Sequence, residues 1–281
     1  MGFDKILFKT ILGYSIWIFL GVIADKVNWS VDQFVLGAVS GTVAVSIYSV
    51  ASNLNSLFIN LSTAISGVLL PKMSKMIANK ASTDEITNEF IKVGRIQYLI
   101  IFLMASGFVL FGKEFIIAWV GNKFITSYYV ALLLILPMCI PLIQNLGLSI
   151  MQAMNKFKFR TIAMAVMSIF NIILSIFFAK LYGPIGSAIG TAISLIIVNI
   201  IIINIYYYKV IKINVIKFWN NIIKMTIPNI IPILTILILE HFIILHGYAN
   251  VIIFGGIYSI MYAIISVSYT HLRAHETCAD L

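Results

Sequence analysis

Asp25, Asn28 and Asp32 recur at helical spacing on one apolar stretch, with Tyr14 and Gly21 in the same narrow arc and Lys26 one residue off it. The next apolar stretch carries Ser49, Ser52, Asn53, Ser56, Asn60, Thr63 and Gly67 along one side in the same way. A charged side chain at the centre of a bilayer costs roughly 2.5–3.5 kcal/mol even on lenient insertion scales, so such groups turn toward a bundle interior or a watery cavity. Carboxylates, amides and hydroxyls in rows read as the wall of a polar cavity, and a carboxylate among them can hold a proton or a sodium ion. The same residues have plainer uses. Asp25 and Lys26 can sit at an interface, Asp32 can cap or pair locally, and Ser and Asn bond helix to helix at about 0.6 kcal/mol each.

Two later stretches repeat the pattern. Gln144, Asn145, Gln152 and Asn155 share the face that holds Pro137 and Pro141, and Ser168, Asn171 and Ser175 line another stretch. Several polar lines in one small bundle point to a shared hydrated cavity. Its candidate lining is Asp25, Asn28, Asp32, Asn53, Asn60, Arg95, Gln144, Asn145, Gln152 and Asn171. Arg95 and Gln97 stand where a guanidinium could grip an anionic headgroup with two hydrogen bonds. Lys156, Lys158 and Arg160 could do so too, and otherwise serve topology and attraction to anionic lipid. The sequence holds no phosphate-cradling Gly loop, HExxH, Cys/His cluster or acid-rich loop of a metal-dependent transferase. An enzyme is therefore not expected, nor a catalytic residue, a metal or a cofactor.

The elements that must position these residues follow from composition. The chain has 281 residues, of which 61% are hydrophobic and 10% charged; a soluble domain carries about a quarter charged residues. This is the composition of an all-α membrane protein. A net charge of +9 would suit nucleic acid, but the basic residues fall between apolar stretches, so no nucleic-acid partner is expected. Eight stretches reach or approach the about 20 apolar residues that a span needs. The first two, about 8–37 and 44–70, meet at a Ser40-Gly41 turn, and Pro71 stops the second. The third opens after a capping box at Ser82–Glu85 and leaves near Phe111, after which GKEFIIAWVGNKF is expected to lie in the interface with Trp119 as an anchor. The fourth, about 128–154, should bend at its prolines. The fifth, 161–179, and the sixth, 186–207, are joined by a tight LYGPIG turn. The sixth opens with the small-residue run GSAIGTAIS and ends in a Tyr206-Tyr207-Tyr208 belt. The seventh and eighth are about 219–244 and 249–266. Loop lysines and arginines gather on one side, which places the N-terminus in the cytoplasm.

These pieces, in their order, resemble the second half of a polysaccharide or oligosaccharide flippase. That family sits in the superfamily of the multidrug and toxic-compound extrusion transporters and the peptidoglycan-precursor flippase. The matching segments are DQFVLGAVSGTVAVSIYSVASNL, LLPKMSK, VGRIQ, FGKEFI, IQNLGLSIMQAMNKFKFR and YGPIGSAIGTAIS, spread over about Leu7 to Lys224. The resemblance implies two six-helix lobes about a central cavity, with this chain supplying the second lobe (residues 1–215) and extra, truncated C-terminal helices (216–266). The N-terminal lobe would be a missing partner, and membrane lipids and a polyprenyl-pyrophosphate-linked oligosaccharide the other partners, in a bacterial cell membrane. An ion-coupled multidrug-type exporter is the alternative, since aspartates would suit cationic cargo. The last stretch, residues 267–281, reads differently: VSYTHLRAHET resembles a translated sequencing adapter and is expected not to be native.

Overall fold

The structure, a computed structural model, describes residues 5–242 and 248–279. These residues form helices α1 (Lys5–Val39), α2 (Thr42–Gly67), α3 (Leu70–Ala78), α4 (Thr83–Val120), α5 (Thr126–Ile143), α6 (Leu146–Ala153), α7 (Phe157–Leu195), α8 (Ile203–Tyr206), α9 (Val215–Phe242) and α10 (Tyr248–Ala279). No strand occurs among them. Six helical segments are long and apolar enough to cross a membrane, and one of these, 157–211, is 55 residues long. At about 1.5 Å per residue that segment is far too long for one crossing of a hydrocarbon core about 30 Å thick. It is in fact a hairpin. Gly183 leaves the helical region (φ 57°, ψ −133°) just ahead of Pro184, a backbone state that only glycine enters without strain. The chain then returns alongside itself, as the sequence expects of LYGPIG. Taking the two arms apart and adding the 35-residue α1, eight rods run through the bundle.

The turns follow local chemistry. Gly41, with φ 82°, joins α1 to α2. Ser82 and Glu85 close a capping box at the start of α4: Glu85 N–H donates to Ser82 Oγ at 3.2 Å and Ser82 N–H to Glu85 Oε2 at 2.7 Å. On the return arm the small residues permit contact with backbone. A Cβ on Gly186 would stand 1.9 Å from the Phe178 carbonyl oxygen, and one on Gly190 2.8 Å from the Ser175 nitrogen.

Three expectations need correction. The segment after Phe111 does not stand apart from the third span but continues α4 to Val120, with Phe111 and Ile116 buried and holding its last turns against the core. Pro71 does not end the second span. α2 already stops at Gly67, and Pro71 sits in the first turn of α3, where its missing N–H leaves no bond unmade. The bend expected of the fourth span is present but displaced: the span runs helically through Pro137 and Pro141 and breaks just beyond them at Gln144–Asn145.

One apolar core ties α1 to α9 through residues such as Leu36, Tyr48, Ile101, Leu134 and Phe218. A smaller cluster of Phe111, Ile236, Phe254, Tyr258 and Tyr262 docks α9 and α10 on α4. Large apolar side chains such as Phe19, Phe34 and Ile169 stand on the outside, as lipid-facing positions require. The helix α10 continues into the stretch expected to be non-native, and residues 280–281 lie outside the described residues.

Candidate functional site

The polar lines on α1 and the two arms of α7 divide at about Asn28. Above it they are sealed. Asp32 is fully buried and accepts four hydroxyl bonds: Tyr48 Oη and Thr191 Oγ1 donate to Oδ2, each at 2.7 Å, while Ser175 Oγ and Ser187 Oγ donate to Oδ1 at 2.7 and 2.8 Å. Four donors match the roughly four lone-pair positions of an ionised carboxylate. One turn below, the buried pair Asn28 and Asn171 continues the seam, with Asn171 Nδ2 donating to Asn28 Oδ1 at 3.2 Å. α1 runs parallel to the outgoing arm of α7, because the pairs Trp17–Thr161, Asn28–Asn171 and Asp32–Ser175 rise together.

Beside this seam and below it the helices part around a cavity of about 410 Å³, within the roughly 300–1,000 Å³ of small-molecule sites. Each wall comes from a different rod. α1 contributes Asp25, Lys26, Ser30 and Gln33; α2 contributes Ser52, Ser56, Asn60 and Thr63. The break between α5 and α6 contributes Gln144 and Asn145, the outgoing arm Arg160, and the return arm Asn199 and Tyr207. Trp29, Met138, Pro141 and Leu148 supply apolar surface between them. This mixture suits a sugar, whose hydroxyls need amide and hydroxyl partners and whose C–H faces pack on apolar and aromatic groups.

The break in the fourth span is held open by a knot around Ser62. Its hydroxyl donates to the Leu142 carbonyl at 2.8 Å and accepts from Asn145 Nδ2 at 3.1 Å, while Gln97 Nε2 donates to the Ser62 carbonyl at 3.2 Å. Gln144 is fixed from the other side by a reciprocal amide pair with Asn204, at 2.8 and 3.2 Å. Asn204 follows a π-helical stretch, 196–202, and also donates to the Ile200 carbonyl at 2.9 Å. Bent backbone of this kind persists in a membrane only where side chains satisfy its freed groups.

Of the ten candidate residues, Asp25, Asn60, Gln144 and Asn145 line the cavity. Asn28, Asp32 and Asn171 lie in the sealed seam beside it. Asn53 is exposed on another side of α2, and neither it, Gln152 nor the half-buried Arg95 lines the cavity. Sequence spacing did not single out Arg160, Asn199 and Tyr207. Arg160 stood in a run of loop cations, and the last two stand on a π-wound stretch whose register departs from the 3.6-residue period.

The comparisons agree with this architecture. Residues 1–129 match the model of a family described as "Polysaccharide biosynthesis protein". No curated protein sequence matches the chain. Among solved structures, the lipid II flippase MurJ in an inward closed conformation superposes with a TM-score of 0.73 at 20% identity, over 96% of this chain and 57% of that one. A MOP superfamily transporter from Pyrococcus furiosus, whose title speaks of a binding pocket of reverse polarity, superposes with a TM-score of 0.57 at 18% identity, over 92% of this chain and 61% of that one. At these identities the likeness is one of fold. The chain spans less than two thirds of the length of either structure. The resemblance read from the motif order thus holds: the chain is an all-α membrane protein with a flippase-type fold.

Proposed function

From that fold and the family match, we propose that this chain is one lobe of a flippase that moves a polyprenyl-pyrophosphate-linked oligosaccharide across a bacterial cell membrane for surface polysaccharide biosynthesis. The observation that carries the reading is the convergence of Asp25, Asn60, Gln144 and Asn145, from three separate stretches of chain, on one cavity. In this reading the amides and hydroxyls of α2 and the α5–α6 break hold the sugar, and cationic groups hold the pyrophosphate. The prenyl tail stays in lipid, against the apolar outer surface. A second lobe would close the open side, and rocking of the two lobes would expose the cavity to each face in turn. The N-terminus of this chain is cytoplasmic in the proposed orientation. That end of the bundle carries Lys72, Lys156, Lys209 and Lys217, drawn together by contacts such as Lys156 Nζ to the Val210 carbonyl at 2.9 Å and Lys217 Nζ to Asn88 Oδ1 at 3.0 Å.

The alternative, an ion-coupled multidrug-type exporter, needs a carboxylate free to take cationic cargo. Asp25 is paired with Arg160 and Asp32 is saturated by hydroxyls, so the geometry favours the neutral or anionic glycan. Deleting the gene from its host should abolish surface glycan and leave lipid-linked oligosaccharide accumulating at the inner leaflet. Normal glycan display in the deletion strain would sink the proposal. Drug efflux that is lost on Asp25→Asn or Asp32→Asn, with glycan display intact, would favour the exporter.

A further inference from the structure

The cavity lining holds two cations, Lys26 and Arg160, and a single carboxylate, Asp25, among the described residues. Arg160 is the more buried partner of the ion pair: its side chain is 10% exposed and that of Asp25 33%. The pair is loosely made. Nη1 donates to Oδ2 at 3.2 Å, and Nη2 donates to Oδ2 at 3.2 Å and Oδ1 at 3.4 Å, whereas well-seated guanidinium–carboxylate bonds run at about 2.7–2.9 Å. The pair draws on the two terminal amino groups alone, leaving the Nε–H of a five-donor fork outside it. The guanidinium also lies over the Phe157 ring, 5.4 Å from its centroid, a second contact, within the outgoing arm, that does not involve Asp25. Asp25 and Arg160 thus both border the cavity, and Asp25 takes up the donors that a bound oxyanion would need.

We propose that Arg160 is the oxyanion receptor of this cavity, that Asp25 occupies it when no cargo is bound, and that an entering oxyanion exchanges with Asp25 and loosens α1 from the outgoing arm of α7. The inference rests on the flippase reading for its cargo and adds a residue-level binding and release step to it. Exchange keeps the guanidinium paired throughout, which avoids leaving a buried charge bare. It also couples occupancy to shape. The Asp25–Arg160 pair is the α1–α7 tie that borders the cavity; the Trp17–Thr161 tie lies on one side of it and the Asn28–Asn171 and Asp32–Ser175 ties on the other, so the loosening is confined to the turns between them. Either a pyrophosphate or the carboxylate of an acidic sugar presents the oxygens that a guanidinium fork accepts.

The test is equilibrium binding of inorganic pyrophosphate, and separately of glucuronate, to the 281-residue chain in phosphatidylcholine nanodiscs. Asp25→Asn removes the competing carboxylate and should tighten binding on the order of tenfold. Arg160→Gln should weaken it at least about tenfold, and Arg160→Lys should recover part of the loss. The double variant Asp25→Asn/Arg160→Gln leaves neither charge unpaired, so it guards against simple misfolding; it should unfold like the parent yet bind like Arg160→Gln. Preference for pyrophosphate assigns the site to the lipid headgroup, and preference for glucuronate assigns it to an acidic sugar. Unchanged or weaker binding in Asp25→Asn, parental binding in the double variant, or no binding of either probe overturns the proposal. Those results leave the flippase reading to stand or fall on glycan display.

Discussion

Asp25 and Asp32 lie seven residues apart on one face of α1, yet one borders a cavity and the other is fully buried. Local sequence does not distinguish them. What differs is the surface opposite. Asp32 meets hydroxyls from α2 and from both arms of α7, where the glycines of the return arm let the two arms touch. Asp25 meets only the outgoing arm, because the bent fourth span and the π-wound return arm leave a gap on its other side. The sealed region fixes the bundle, and the open region is free to serve a ligand. Polar residues at helical spacing thus serve as structural ties or as a binding wall according to whether a second helix closes over them.

The largest effect that would break this contrast comes from the sealed side. Asp32→Ala removes the acceptor of four hydroxyls and should destabilise the protein by about 3 kcal/mol, read as an earlier unfolding midpoint in a detergent titration of reconstituted protein. If Asp32→Ala is as stable as the parent, the seam is not a structural tie. Next comes Gly186→Ala. Its Cβ would press on a backbone oxygen that cannot swing aside, so the hairpin must open at a cost of up to about 3 kcal/mol, visible in the same titration. Ser62→Ala takes a hydroxyl partner from the Leu142 carbonyl and from Asn145, while Gln97 keeps its bond to the Ser62 carbonyl. A loss of about 1–2 kcal/mol is expected, together with faster amide exchange around residues 142–147. The open side should behave in the opposite way. Asn60→Ala should change stability by less than about 0.5 kcal/mol while reducing glycan display in the proposed two-lobe flippase. Asn53→Ala, on another side of the same helix, should change neither. Equal effects of the two substitutions on glycan display would erase the distinction between cavity wall and outer surface.

Much of the frame was legible before any coordinates. The capping box at Ser82, the Ser40-Gly41 turn and the Gly183-Pro184 reversal are local, since each depends on hydrogen bonds or φ preferences within a few residues. The rods between them follow from the length of apolar runs. The site was legible in part. Asn60, Gln144 and Asn145 had the right residue type at the right period, but so had Asn53, and periodicity alone cannot say which of several helix faces meets a neighbour. Arg160 was obscured for the opposite reason. A cation next to a loop has a sufficient topological explanation, and only its pairing with Asp25, 135 residues away, marks it as part of the cavity.

The sequence by itself determined an all-helical membrane protein, the order and ends of most of its rods, and the presence of polar lines facing inward. These are matters of one chain segment against lipid, where the cost of exposing backbone or charge is large and local. Only the tertiary structure decided which of those lines would close on each other and which would stay apart. That outcome depends on contacts between residues more than a hundred positions apart: small side chains of the return arm that admit close approach near Asp32, and bends in two helices that prevent it near Asp25.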